Sequence, residues 1–248
     1  MRISLAALLV LALTTPQAPG LAESLNEYVT LFAGPGAIDC GQVGSPATNA
    51  ALQQLIDCGL AAAKRRQSFR AEQRSWEIAG LIGDASGVIS HFRMAAGCAD
   101  GSCPAMFSIA RCPSPSSDRG DLRCYGQGTL AVSVEKPDAY LDVVAGSGAT
   151  DCGRLGIRAT EADLRRSLDC ALEANRRREA FSLVKQDQGI DSSIYQGLVG
   201  NRAGTMFLFT YDSAPCGNPQ CYGSFSLGKC PGPTTTMRGN RLHFSCSQ

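Results

Sequence analysis

Two hydrophobic periods follow one another along the chain, and the sequence of periods occurs twice. Tyr28, Leu31 and Phe32 stand at i, i+3 and i+4, and Tyr140, Val143 and Val144 repeat that spacing. Such a period is one apolar face of a short helix. Ser24 with Glu27 reads as a capping box, Pro137 suits a first helical position, and Gly34 and Gly146 suit the stop. A longer stripe comes next. Leu52, Ile56 and Leu60 follow Ser45-Pro46 or Thr48, and Leu164, Leu168 and Leu172 follow Thr160, with Glu161 and Asp163 in the first turn. The period then shortens to that of strands, beginning near Phe69 and Phe181. Asp84 to Gly87 and Asn201 to Gly204 read as hairpin turns between apolar runs. Strands are expected over Val88 to Met94 and Thr205 to Tyr211, then around Phe107 and Ile109, or Phe225 and Leu227. A last strand reaches Cys124 or Cys246.

The repetition extends to the cysteines, twelve in all. Cys40, Cys58, Cys98, Cys103, Cys112 and Cys124 are matched by Cys152, Cys170, Cys216, Cys221, Cys230 and Cys246. Helix followed by sheet, without strand–helix–strand alternation, predicts an α+β fold. The expected architecture is two tandem homologous disulfide-stapled modules, residues 23–136 and 137–248. Each would be a short helix, a long helix and an antiparallel β-meander packed on it. A long helix on a meander is similar to the cystatin-like arrangement, an analogy of fold that carries no function.

Residues 1–22 read as a signal peptide, with Arg2, an apolar run from Leu5 to Leu13, and small residues at Gly20 and Ala22. Export makes a secreted or periplasmic protein, and there an even set of cysteines at repeated spacings implies bridges. Metal is disfavoured: the closest cysteine pairs have four residues between them, and there are 2 histidines. Cys58 lies on the shoulder of its helical stripe, which suits a staple to Cys40. The simplest pairing adds Cys98–Cys103 and Cys112–Cys124, with the same connections in the second copy. No other run is long and apolar enough for a membrane helix.

Lys and Arg number 23 against 22 Asp and Glu, so charge gives no general drive toward nucleic acid. The basic triplets Lys64-Arg65-Arg66 and Arg176-Arg177-Arg178 end the two long helices, where they complement the helix dipole. Side by side, they would make an anion patch.

Little catalytic chemistry is legible. His91 and His243 belong to no shared design: Leu208 replaces His91, and Arg123 falls near the place of His243. His91 and Ser90 are sequential strand residues and point to opposite faces. Hydrolase, metalloprotease and phosphate-loop motifs are lacking, and no cofactor is implied. Asp39 and Asp151, each before Cys-Gly, read as Asx turns in loops, and Asp57 and Asp169 as helix surface. The Cys-x4-Cys pairs read as hairpin staples rather than redox centres. Gln42-Val43-Gly44 resembles a cystatin-type inhibitor loop, but it precedes the long helix and is Arg154-Leu155-Gly156 in the second copy. Two differences mark the copies: extra residues near Gln186 to Asp191, and an alternating segment from Gly128 to Val134 that reads as an added edge strand between modules. The expected function is a non-catalytic, monomeric binding protein for an extracytoplasmic protein or envelope partner. The alternative is a secreted protease inhibitor or small hydrolase with its site in one module.

Overall fold

The structure is a computed structural model that describes residues 19–44, 46–74, 78–95, 106–124, 137–146, 148–190, 192–214, 223–238 and 241–247. The first half runs α1 (Pro19–Ala33), β1 (Ile38–Gly44), α2 (Asn49–Lys64), β2 (Phe69–Arg74), β3 (Ile78–Gly83), β4 (Ile89–Ala95), β5 (Met106–Arg111), β6 (Pro115–Asp118) and β7 (Asp121–Cys124). The second half repeats the order as α3 (Asp138–Ala145), β8 (Thr150–Leu155), α4 (Glu161–Arg176), β9 (Phe181–Gln188), β10 (Ser193–Gly200), β11 (Met206–Asp212), β12 (Ser224–Lys229), β13 (Gly232–Arg238) and β14 (Arg241–Ser247).

The fold is α+β, with four described helices and mostly sheet. Its arrangement differs from two separate meanders. A single ten-stranded sheet runs β1-β2-β3-β4-β5-β12-β11-β10-β9-β8. The halves meet where β5 pairs antiparallel with β12, Phe107 opposite Leu227 and Ile109 opposite Phe225. Each last meander strand would otherwise leave a row of backbone donors and acceptors unpaired, and pairing the two satisfies both edges. Ser108 and Ser226 face each other across this seam, hydroxyl to hydroxyl at 3.0 Å.

The expected absence of strand–helix–strand alternation is also corrected. β1 pairs parallel with β2, and β8 with β9, so each long helix is a crossover between parallel neighbours. The Asp-Cys-Gly motif lies in these edge strands, not in loops. Between Asp39 and Gln42 the register shifts, and Gly41 takes φ +99°. The Asp39 carboxylate accepts the Gly41 N–H at 2.9 Å, and Asp151 does the same for Gly153. Glycine supplies the left-handed backbone of the bulge, and aspartate satisfies the amide that the bulge takes out of the ladder.

Threonine caps start the long helices as expected, with Thr48 accepting from Ala51 N and Thr160 forming a capping box with Asp163. Gly34 and Gly146 end the short helices at φ +84° and +83°. In contrast, α1, described from Pro19, already runs through Ser24, so that residue lies within the helix rather than at its cap.

Three layers result. α1 and α3 share one face of the sheet over a core that crosses the seam, including Tyr28, Phe92, Phe107, Phe209 and Phe225. Tyr28 stacks on Phe107 with centroids 5.0 Å apart, and Tyr140 stacks on Phe225 at 4.9 Å. On the opposite face α2 and the β6–β7 hairpin bury Phe69, Leu81 and Leu122, while α4 and β13–β14 bury Phe181, Leu198 and Phe244. No described helix is long and apolar enough to cross a membrane.

Four disulfides fix this frame: Cys40–Cys58, Cys112–Cys124, Cys152–Cys170 and Cys230–Cys246. The first and third hold each crossover helix to its bulged edge strand. The second and fourth hold each hairpin to the end of β5 or β12. Cys98, Cys103, Cys216 and Cys221 lie outside the described residues, as does the segment Gly128 to Val134.

Candidate functional site

A cavity of about 500 Å3 opens on the α1/α3 face, over the end of β3, β4 and β5. That size falls within the range of about 300–1,000 Å3 common to ligand pockets. Ile82, Ser90 and Ile109 floor it, and Phe32 of α1 closes one side. Ala139, Tyr140 and Val143 of α3 form the other side, so both halves of the chain build it. Asp84, Arg111 and Asp138 supply the charged groups.

Two residues distinguish the cavity from the matching place on the other half of the sheet. Aligned through the shared Gly-apolar-apolar-Gly run, Ser90 corresponds to Phe207 and Arg111 to Lys229. The ladders agree, since Ser90 stands opposite Arg111 and Phe207 opposite Lys229. Phe207 is fully buried and reaches Tyr28, with centroids 6.0 Å apart. Ala139 likewise corresponds to Glu27. The Glu27 carboxylate accepts from Lys229 Nζ at 2.6 Å and closes the second half's rim. Burial pushes the Tyr28 phenol up to about 12, against a backbone hydrogen bond with Lys229 that opposes the rise. Where the second half holds a ring and an ion pair, the first has a hydroxymethyl and a methyl group.

Both carboxylates at the cavity have described partners. Asp138 pairs with Arg154 at 2.7 Å. One oxygen of Asp84 accepts from the Ser86 and Val88 amides, at 2.9 and 3.0 Å, and so shapes the β3–β4 turn. Among the described residues that line the cavity there is no histidine, lysine or cysteine. Besides the Tyr140 phenol, the titratable groups in the lining are the two carboxylates and the guanidinium.

His91 is on the other face of β4, packed toward the β6–β7 hairpin. Its imidazole is held down at about 4 by burial, then by the Arg93 and Arg123 charges. Its Nε2 is buried without a described partner. His243 joins a different network, its Nδ1 3.0 Å from Gln196 Nε2. Gln196 also donates to Asp187, which is paired with Lys185, and Lys185, Asp187 and Gln196 are all buried. At the matching place in the first half, Gln73 pins the hairpin by donating to Gly120 O at 2.6 Å and accepting from Leu122 N at 3.0 Å. The Lys185 network thus holds the longer β13–β14 hairpin onto the sheet. The extra residues near Gln186 lengthen the β9–β10 ribbon that carries it.

The basic triplets are not brought together. Lys64, Arg65, Arg66, Arg176, Arg177 and Arg178 are exposed. β2 and β9, which follow them, stand seven positions apart in the sheet, roughly 33 Å at ordinary strand spacing. Alternating strand direction also puts the triplets at opposite ends. Arg176 and Arg177 both pair with Glu173. Arg66 and Arg178 adopt φ +54° and +55°, closing the helices. Asp57 accepts from Gln53 on the helix surface, and Asp39 pairs with Arg70. Among the described residues, no cluster of His, Cys, Asp or Glu is suited to a metal ion.

Sequence reading missed the cavity, although its signal was present in the substitution of Ser90 for Phe207 and Ala139 for Glu27. Compared with protein-family models, curated proteins and solved structures, the chain matches none of them.

Proposed function

We propose that this is an exported, non-catalytic binding protein made of two fused sister units, with the first 22 residues acting as its signal peptide. The α1/α3 cavity is its binding site, and it takes a small, largely apolar ligand or the apolar group of an envelope partner. The carrying observation is the asymmetry between the halves: a cavity of about 500 Å3 in one, and the buried Phe207 ring at the matching place in the other. Shared residues serve the frame, namely the cysteines, the bulge glycines and the aromatic seam. The residues that open the cavity are those in which the copies differ. Four disulfides fit folding in an oxidising compartment.

An environment-sensitive apolar dye tests the reading. The mature chain should bind it saturably with one site, and Ser90→Phe should remove that site while leaving circular dichroism unchanged. Dye binding that is absent, or that is equal in the two proteins, would refute it.

A further inference from the structure

We propose that the cavity selects a ligand that carries an aromatic ring, an inference that rests on the binding reading above. The sister half supplies the template. Tyr28 stacks on Phe107 with centroids 5.0 Å and planes 9° apart, and the Phe207 ring tilts against Tyr28 at 6.0 Å and 56°. Tyr140 repeats the first of these contacts on Phe225, at 4.9 Å and 11°. Ser90 stands in the place of Phe207, so the second ring is missing there. Tyr211 also tilts toward Tyr140, at 6.1 Å, but its strand β11 lies on the other side of β12 from β4 and Ser90.

A ligand ring over Ser90 restores the tilted pair with Tyr140. Phe32 gives that ring a second aromatic wall, where the second half has Val144. The floor around Ser90, Ile82 and Ile109, is apolar, as Val199 and Leu227 are at the matching places around Phe207. Charge has no part in this selection: Asp84 and Asp138 have partners, and Arg111 has an interaction of its own. What distinguishes a flat ring from a saturated one of similar size is its quadrupole. Ring pairs with centroids about 4.5–7 Å apart gain about two- to twelvefold in affinity beyond the burial of their area.

Phenylbutanol and cyclohexylbutanol make a matched pair of neutral probes, and titration calorimetry on the mature chain reads both. The cyclohexyl ring is the larger and more apolar, so burial alone favours it. The phenyl probe should nevertheless bind about threefold or more tightly. Phe32→Val, which copies Val144, and Tyr140→Leu should each reduce that preference, and together they should reverse it. Ser90→Phe should abolish binding of both probes while the variant unfolds at or above the parent's temperature. Equal or tighter binding of the cyclohexyl probe by the parent, or a phenyl preference untouched by both wall substitutions, would overturn aromatic selection and leave the cavity-binding reading standing. Binding of neither probe, or phenyl binding unchanged by Ser90→Phe, would overturn both.

Discussion

Replacing His91 by leucine should make the protein's stability nearly independent of pH across the range where histidine titrates. His91 is mostly buried between β4 and the β6–β7 hairpin, beside the positive charges of Arg93 and Arg123. Burial first, and then those charges, hold its pKa at about 4 against 6.5 for the free side chain. The unfolded chain therefore binds more protons than the folded one between those values. Stability is fully present above the unfolded pKa and is lost as pH falls toward the folded one. Each pH unit of displacement is worth about 1.4 kcal/mol, so the whole effect is roughly 3 kcal/mol. About 2 kcal/mol of it is lost between pH 7 and pH 5. Urea unfolding followed by circular dichroism at those two pH values reads it directly. The parent should lose about 2 kcal/mol, and His91→Leu less than about 0.5 kcal/mol. Leucine already stands at the matching position, Leu208, so its volume suits this place on the strand. At neutral pH the variant should be as stable as the parent or slightly more so, because the buried Nε2 without a described partner is gone. Asp39, held low first by the Gly41 amide and then by Arg70, contributes stability that is lost only at lower pH, as its carboxylate protonates. An equal pH slope in parent and variant would refute the reasoning.

Three further perturbations test the frame. Removing the Cys40–Cys58 bridge with paired alanines should cost about 3 kcal/mol in urea unfolding, and removing Cys152–Cys170 the same, since both span a sequence separation of 18. Gly80→Ala should destabilise by about 3 kcal/mol in the same measurement, because a Cβ there would lie 2.2 Å from the Ala71 carbonyl oxygen, backbone that cannot swing away. Asp187→Ala should cost about 3 kcal/mol or more by thermal unfolding because it strands the buried Lys185 charge, whereas Lys185→Met with Asp187→Leu should recover most of the loss.

Much of the fold can be read from local signals, and the particular elements show why. Helix caps at Thr48 and Thr160, turns at Asp84 and Asn201, and four cysteine pairs are decided by residues within about twenty positions of each other. Asp39 and Asp151 were legible as Asx turns on the same ground. Their placement in strands was not, since a bulged edge strand acquires its identity from the partner strand, here Phe69–Arg74 or Phe181–Gln188. The basic triplets show the limit from the other side. Equal local sequences suggest adjacency, while the strand order sets them far apart. The Ser90 cavity needs Phe32, Ile82, Ile109 and Tyr140 to converge from four elements, and only the long-range pairing of the sheet brings them together.

Local sequence signals carry the duplication, the α+β character, the caps of the two long helices, the turns at Asp84 and Asn201 and the four described bridges. Each of these is encoded by short-range geometry or by the spacing of identical residues. Long-range pairing joins the halves in one sheet, brings the short helices together over the β5–β12 seam and leaves a cavity over Ser90. Those outcomes depend on which strand edge finds which partner and on how much volume the facing side chains fill, and both are properties of residues far apart in the chain.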